Sequence, residues 1–372
     1  MKLTPPDPDE VEVSLFGPGF GECVLVHLGN QEWLIVDSCK DQRSTRQPAL
    51  TYLAEMGLEA SAAVRVVLVS HWHDDHVRGI SEVVAECITA EFWVSSALRS
   101  EELLLMSGLY GSDRASKHNP FQEFYWVMER LRIRAMGRQR LPLINLATES
   151  RVLWHRPATR SAPEAEIIAF SPSSVSDYVA RQAIANLLPE AEESPHSVQA
   201  PQPNDAAVVL SVRLGDITLL LGSDLEVTPD PATGWTAIVG KASSLTKDQR
   251  ATLFKVPHHG SQNAHHDAVW TEMLVESPWA VLTPFRRGKT PLPRDSDARR
   301  IRQMTNRGYI TAATKAPTQP RRPRAVDLAV RQAVRKIYDP EGQSGHIRVR
   351  GSSFEVDPDK WKVELRPPAR SL

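Results

Sequence analysis

What this 372-residue sequence lacks narrows its class before any motif is considered. No apolar run reaches membrane-spanning length, and neither MKLTPPDPDE at the start nor RPPARSL at the end reads as a targeting signal. The expected location is therefore cytoplasmic, with no membrane partner. Only three cysteines occur, Cys23, Cys39 and Cys87, and none stands in a C-x-x-C pair. Buried reduced thiols are expected rather than a disulfide framework or a thiolate zinc finger. An excess of one charge is also missing: 44 Lys and Arg against 45 Asp and Glu leave a formal net charge of −1, which by itself names no partner. No internal repeat of solenoid period is present.

What remains is an ordinary globular composition, 41% hydrophobic and 24% charged, with enough apolar material for a large core. VEVSLFG, CVLVHLG and EWLIVDS read as three strands of a meander, separated by Gly- and Asn-containing turns. Residues 46–57 read as a helix, VRVVLVS (64–70) as a strand buried on both faces, 79–88 as a helix and EFWVSSA as a strand. This alternation indicates an α/β fold. Residues 98–140 switch to helical spacing and read as an insertion or lid, and 174–203, ending in LPEAEESPHSVQAPQP, reads as a loop. Strands resume at RVLWH and AEIIAFSP, then at AAVVLSVRL, DITLLLGSD, TLFKVPHHG and WAVLTPF, with GHIRVRG and SSFEVD as a closing hairpin. The expected organisation is a tail over 1–10, one domain over 11–365 carrying both insertions, and a tail over 366–372.

Histidine is concentrated. Seven of twelve fall in two short segments, His71, His73 and His76, then His258, His259, His265 and His266, with His118 and His196 in loop-like sequence. The segment SHWHDDHVRG puts His71, His73, Asp75 and His76 directly after a buried strand, where a sharp turn of the backbone can converge them. Imidazole and carboxylate without thiolate suit zinc, manganese or iron in a reactive site rather than a structural finger. In LLLGSDLE, Asp224 follows another apolar strand; alone it reads as a turn residue. FKVPHHGS brings His258 and His259 to a third strand end, next to a glycine that allows close approach of backbone to ligand. Three strand ends bearing His or Asp imply one shared edge.

The HxHxDH segment, the later strand-Gly-x-Asp and the PHHGS segment resemble the metallo-β-lactamase superfamily, and in particular the metallohydrolase domain of ComEC-type competence proteins and their free-standing relatives. SLFGPGFGECVLVHLGNQEWLIVDS and NDAAVVLSVRLGDITLLLGSD extend the similarity; residues 98–140 lie outside it. The resemblance implies a four-layer αβ/βα sandwich and two divalent metal ions, zinc or manganese. It places His71 and His73 on the first metal, Asp75 and His76 on the second, Asp224 between them, and one of His258 and His259 as a further ligand with the other free to act on a leaving group. Asp37 would orient the histidine loop. Where the superfamily carries a third histidine for the first metal this sequence has Asn204 and Asp205; Asp205 is the candidate ligand, Asn204 a substrate contact, and His196 a competitor.

The implied activity is metal-dependent hydrolysis by a metal-bridging hydroxide, with Asp75, His258 and His259 as catalytic residues, and nucleic acid as the substrate whose phosphodiester bond is cut. Clusters of arginine agree with a phosphate substrate: Arg130, Arg132, Arg134, Arg138 and Arg140, then Arg286, Arg287, Lys289 and Arg294. Arg286, Arg287 and Ser261 are candidate substrate contacts; the first cluster reads equally as a solvated helix face. Arg321, Arg322 and Arg324 have no assigned role. Trp72 offers a stacking surface for a base or a packing surface for the insertion, and Asn263 a phosphate donor or a turn residue. The competing functions are hydrolysis of a lactone, β-lactam or thioester, and a non-catalytic sensor that retains the fold. The helical insertion is a candidate surface for protein partners.

Overall fold

The computed structural model describes residues 3–18, 21–40, 46–98, 120–138, 144–185, 203–242, 249–286, 290–315, 324–333 and 344–372. The strands in chain order are β1 (Glu10–Gly17), β2 (Cys23–His27), β3 (Trp33–Val36), β4 (Val64–Val69), β5 (Glu91–Ser95) and β6 (Ile144–Ala147), then β7 (Arg151–Arg156), β8 (Ala165–Ala169), β9 (Leu210–Leu214), β10 (Ile217–Leu221), β11 (Ala251–Lys255), β12 (Leu274–Leu282) and β13 (Gly308–Ile310). β14 (Gly345–Ser352) and β15 (Lys362–Arg366) follow, and β16 (Arg370–Ser371) ends the chain. One eight-stranded sheet runs β15-β14-β1-β2-β3-β4-β5-β6, the other β16-β13-β12-β11-β10-β9-β8-β7.

Alternation along the strands builds the layers. Leu34, Val66 and Leu68 point between the sheets, where they meet Ile167, Val212, Leu219, Leu253 and Val281 of the second sheet. Their neighbours Trp33, Ile35, Val67 and Val69 point the other way, against Leu50, Leu53, Val83 and Phe124 of the covering helices. A third core packs Trp235, Phe254 and Ile301 on the outer face of the second sheet. Helix, sheet, sheet, helix is the four-layer αβ/βα sandwich of an α/β chain.

The meander β1-β2-β3 is antiparallel and β3-β4-β5 parallel, as their patterns predict. Other expectations need correction. Ser174–Ala185, read as loop, is a helix whose first turn is capped by Ser173 Oγ accepting from Ser176 N at 3.1 Å. SSFEVD is not the second arm of the closing hairpin, since β14 pairs instead with β15, His346 opposite Arg366. Residues 366–372 are not a loose tail: Arg370 and Ser371 pair with Ile310 and Tyr309. All three cysteines are buried thiols outside any disulfide. No helix among the described residues is long and apolar enough to cross a membrane.

The insertion helix Pro120–Arg138 is fastened to the histidine loop. Glu123 accepts from the backbone N–H of Gly79 at 2.9 Å and from Ser81 Oγ at 2.8 Å, capping the helix Ile80–Glu86. At the other end of that helix, Arg134 donates to the carbonyls of Val84 and, at 2.8 Å, Cys87.

Candidate metal centre

The C-terminal ends of β3 and β4 build the first half. Asp37, left-handed at φ 61, accepts from Ser70 N at 2.7 Å and Ser70 Oγ at 2.6 Å, tying the two strand ends together. The same Oδ2 takes the Nδ1–H of His76 at 2.8 Å. That bond sets the tautomer and leaves His76 Nε2 facing inward, as expected of a carboxylate that orients a metal ligand. The second half comes from the other sheet. At the end of β11, His258, His259 and Gly260 are all left-handed, at φ 45, 53 and 80, and this sharp turn sends the two imidazoles apart. His259 Nδ1 lies 3.1 Å from Thr283 O, so its Nε2 also points inward.

The halves converge. His76 Nε2 is 3.3 Å from Asp224 Oδ2, and His259 Nε2 is 3.3 Å from Asp75 Oδ2 and 3.5 Å from Asp224 Oδ2. Asp75, His76, Asp224 and His259 each offer a ligand atom within 4.8 Å of the others, all four being buried. Asp75 Oδ2, His76 Nε2 and His71 Nε2 are buried without a hydrogen bond. Buried polar atoms left in this state are costly unless something satisfies them, and a nitrogen and oxygen set of this kind fits a divalent cation.

Electrostatics agree with a cation site. Burial alone would raise the carboxyl of Asp75, but the charge of His76 and the contacts of His259 and His73 hold it well below the ordinary carboxylate range. Asp224 is likewise held low against burial, by His259 and His76 and then Lys255. Both carboxylates are therefore ionised and ready to ligate. Asp37 is raised by burial, which outweighs its bonds to His76 and Ser70.

Several expected ligands stand differently. His71 is buried, its ring 4.2 Å from that of His76, and burial followed by the charge of His76 keeps it well below the ordinary imidazole value. His73 is 45% exposed, with Nδ1 2.7 Å from Asp75 Oδ1. Asp205, half-buried in the turn Pro203–Ala206, is raised by burial and then by Glu226. Among the described residues neither His71, His73 nor Asp205 joins a group of three or more close donors, whereas Glu22, Asp37 and His76 form a second such group. That group is already engaged: Asp37 bonds Ser70 and His76, and Glu22 pairs with Lys255 and accepts from Thr283 Oγ1.

The paired histidines are now distinguished. His259 joins the cluster; His258 turns outward, with Nδ1 3.1 Å from Glu226 Oε1 and Nε2 3.5 Å from Asn204 Nδ2. Asn204 Nδ2 also donates to Glu226 Oε1 at 3.0 Å, so the three side chains form one group beside the His–Asp cluster. Sequence reasoning missed Glu226, although it stands two residues after Asp224. It also missed Glu22 and Lys255, and the signal for the latter was present: a lysine inside an apolar strand has to find a buried partner.

Other candidates are accounted for structurally. Trp72, 4% exposed, packs edge-on against Phe124 of the insertion helix at 4.8 Å, which is the packing reading rather than a stacking platform for a base. Arg286 Nε donates to Ala313 O at 2.8 Å, Arg132 and Arg130 are exposed, and Arg134 is committed to helix carbonyls. Ser261 N bonds His258 O at 2.9 Å and Asn263 O accepts from Val227 N at 2.8 Å, both bracing the turn. His118, His196, Arg140, Arg287, Lys289, Arg321 and Arg322 lie outside the described residues.

Residues 16–130 match the family model of the metallo-beta-lactamase superfamily. No curated protein matches the chain. Among solved structures the chain is similar to a metallo-beta-lactamase with a HARLDQ motif from Cronobacter sakazakii (16% identity, TM-score 0.32, covering 65% of this chain and 76% of that one). It is also similar to the metallo-beta-lactamase fold protein YhfI from Bacillus subtilis (11%, TM-score 0.31, 66% and 70%) and to Rm3 metallo-beta-lactamase (13%, TM-score 0.35, 69% and 78%). Similarity at this level says nothing of substrate. The matched residues contain the whole run from His71 to His76, and over that part the chain is similar to the metallo-beta-lactamase superfamily.

Proposed function

We propose that the chain is a metal-dependent hydrolase that cuts phosphodiester bonds in DNA or RNA, in the manner of the ComEC-type domains its PHHGS and Asn204-Asp205 segments resemble. The observation that carries the reading is the division of labour between adjacent histidines, His259 in the ligand cluster and His258 outside it beside Glu226 and Asn204. Asp75, His76, Asp224 and His259 would hold a divalent ion, zinc or manganese, with His71 and His73 next to it as the nearest donors for a second. A divalent metal bound there would supply an acidified water and neutralise charge developing on the scissile group.

The chain's own residues supply the rest. Asp37 and Thr283 lock His76 and His259 with Nε2 inward, so no ring has to reorient as the reaction proceeds. Glu226 is held below the ordinary carboxylate value despite burial, because His258 and Asn204 both contact it, and its Oε1 lies 3.1 Å from His258 Nδ1. His258, with Nδ1 facing that carboxylate and its ring outside the ligand cluster, is the candidate group to act on a departing alkoxide, which needs a proton. Asn204, whose Nδ2 lies 3.5 Å from His258 Nε2, would fix that ring and contact substrate. Thiolate departure from a thioester would need no such donor.

Incubation of the purified protein with single- and double-stranded DNA and RNA, with manganese or zinc, tests the reading against an Asp75→Ala/His76→Ala control. Cleavage by the wild type alone supports it. Turnover of a lactone or β-lactam with no phosphodiester cleavage would falsify it.

A further inference from the structure

Below the metal ligands sits a charged group that the chemistry described so far does not use. Lys255, at the end of β11, is 1% exposed. Its Nζ donates to Ser223 O at 2.9 Å, pairs with Glu22 and lies 3.6 Å from Asp224 Oδ1. Glu22 belongs to the other sheet, at the start of β2, where its own N–H donates to Asp75 O at 3.0 Å. The pair therefore crosses the sandwich and touches the backbone or side chain of both metal-binding aspartates. As a source of stability it is a poor device, since desolvating two charges offsets most of their attraction and apolar residues would join the sheets as well.

Its geometry suits another purpose. Asp224 Oδ2 faces His76 and His259, while Oδ1 faces Lys255. We propose that Lys255 is a positioning residue of the metal centre: its ammonium holds Asp224 Oδ1 so that Oδ2 alone is offered to a divalent ion. Glu22 fixes the ammonium and cancels its charge, so the orientation is imposed without a net repulsion against the cation. This inference rests on the metal reading above.

Cobalt(II) is the probe, because its visible d–d absorption reports coordination number and needs no turnover. Lys255→Met frees Oδ1, and Asp224 can then bind through both oxygens. The expected result is a weaker, shifted d–d band and a loss of about ten- to a hundred-fold in cobalt affinity, the range typical of residues that orient ligands. Lys255→Arg, which keeps the charge, is expected to retain the wild-type band. Glu22→Gln, which leaves Lys255 beside Asp224, should lower affinity less than Lys255→Met. Thermal unfolding of the metal-free proteins checks that each variant is folded; if Lys255→Met is not, Lys255→Gln against Lys255→Arg carries the same comparison. A folded neutral variant with wild-type band and affinity overturns the inference, as does equal damage by Arg and by the neutral residue. Failure of the wild type itself to bind cobalt would instead remove the metal reading on which the inference stands.

Discussion

A Cβ built on Gly21 would stand 1.8 Å from the carbonyl oxygen of Asp75, so the hairpin between β1 and β2 lies directly against the backbone of a candidate metal ligand. Gly21 is also at φ +108, where side chains are strained in any case. Gly21→Ala is therefore expected to push the histidine loop out of register, and to cost roughly 1–3 kcal/mol in stability. Metal content should fall more sharply than stability; elemental analysis beside thermal unfolding checks this. A fully loaded Gly21→Ala protein would show that the approach is not needed.

The two neighbouring histidines should separate in their phenotypes. His259→Ala removes a cluster ligand and is expected to lower bound metal. His258→Ala leaves the cluster whole and should keep its metal while losing about 10²–10⁴-fold in kcat, the contribution typical of a general acid. Phosphodiesters with poor leaving groups should suffer most, and an ester with an activated aryl leaving group least. Equal losses on both esters would contradict the proton-donor role.

Phe124, 1% exposed, joins the insertion helix to Trp72 inside the histidine loop. Phe124→Ala should destabilise by about 3–5 kcal/mol, as is usual for truncating a buried aromatic residue. Because its partner is flanked by His71 and His73, amide exchange over 71–76 should quicken more than over β1. Uniform acceleration throughout the first sheet would mean that the helix supports the domain and not the loop.

His27 gives the fold an acid sensitivity of its own. Its Nδ1 is 2.8 Å from Glu10 O and its Nε2 accepts from Gln31 N at 3.0 Å, an arrangement only the neutral ring satisfies. Burial, offset partly by the bond to Glu10 and reinforced by Arg350 and Arg156, lowers its pKa from 6.5 to about 4. Between those values the unfolded chain binds the extra proton. Stability is then complete above pH 6.5 and declines as pH falls towards 4, by roughly 3 kcal/mol for this group. Denaturant titrations of wild type and His27→Gln across that window should show a shallower pH slope in the variant.

The parts of this molecule that sequence could reveal are those written locally. The run Val64–Val69 alternates between two cores and says strand on its face, and His71, His73, Asp75 and His76 follow it within a few residues. Asp224 and the pair His258–His259 were legible because each follows a strand of the same apolar kind, although the order within the pair was not. Partners across the sandwich were not: nothing near Lys255 names Glu22, and nothing near His258 favours Glu226 over His259 as its contact. The helix Ser174–Ala185 was hidden by exposed Val175, Tyr178 and Val179 and by the acidic, Pro-rich sequence after it, although its capping serine is visible. β15 escaped notice for a related reason, since Lys362–Arg366 is a sheet edge with only partial burial and announces no core.

The pairing of β1 with β14, Glu10 opposite Ser352, also has a consequence in time. A ribosome delivers the hairpin bearing Gly21 and Glu22 early, but the strand that seals its outer edge arrives after nearly everything else, including Asp224 and His259. Until then β1 is an open edge awaiting a distant neighbour, a slow kind of closure and one exposed to wrong partners. Closure of the first sheet therefore waits on Gly345–Ser352, which follow Asp224 and His259 in the chain.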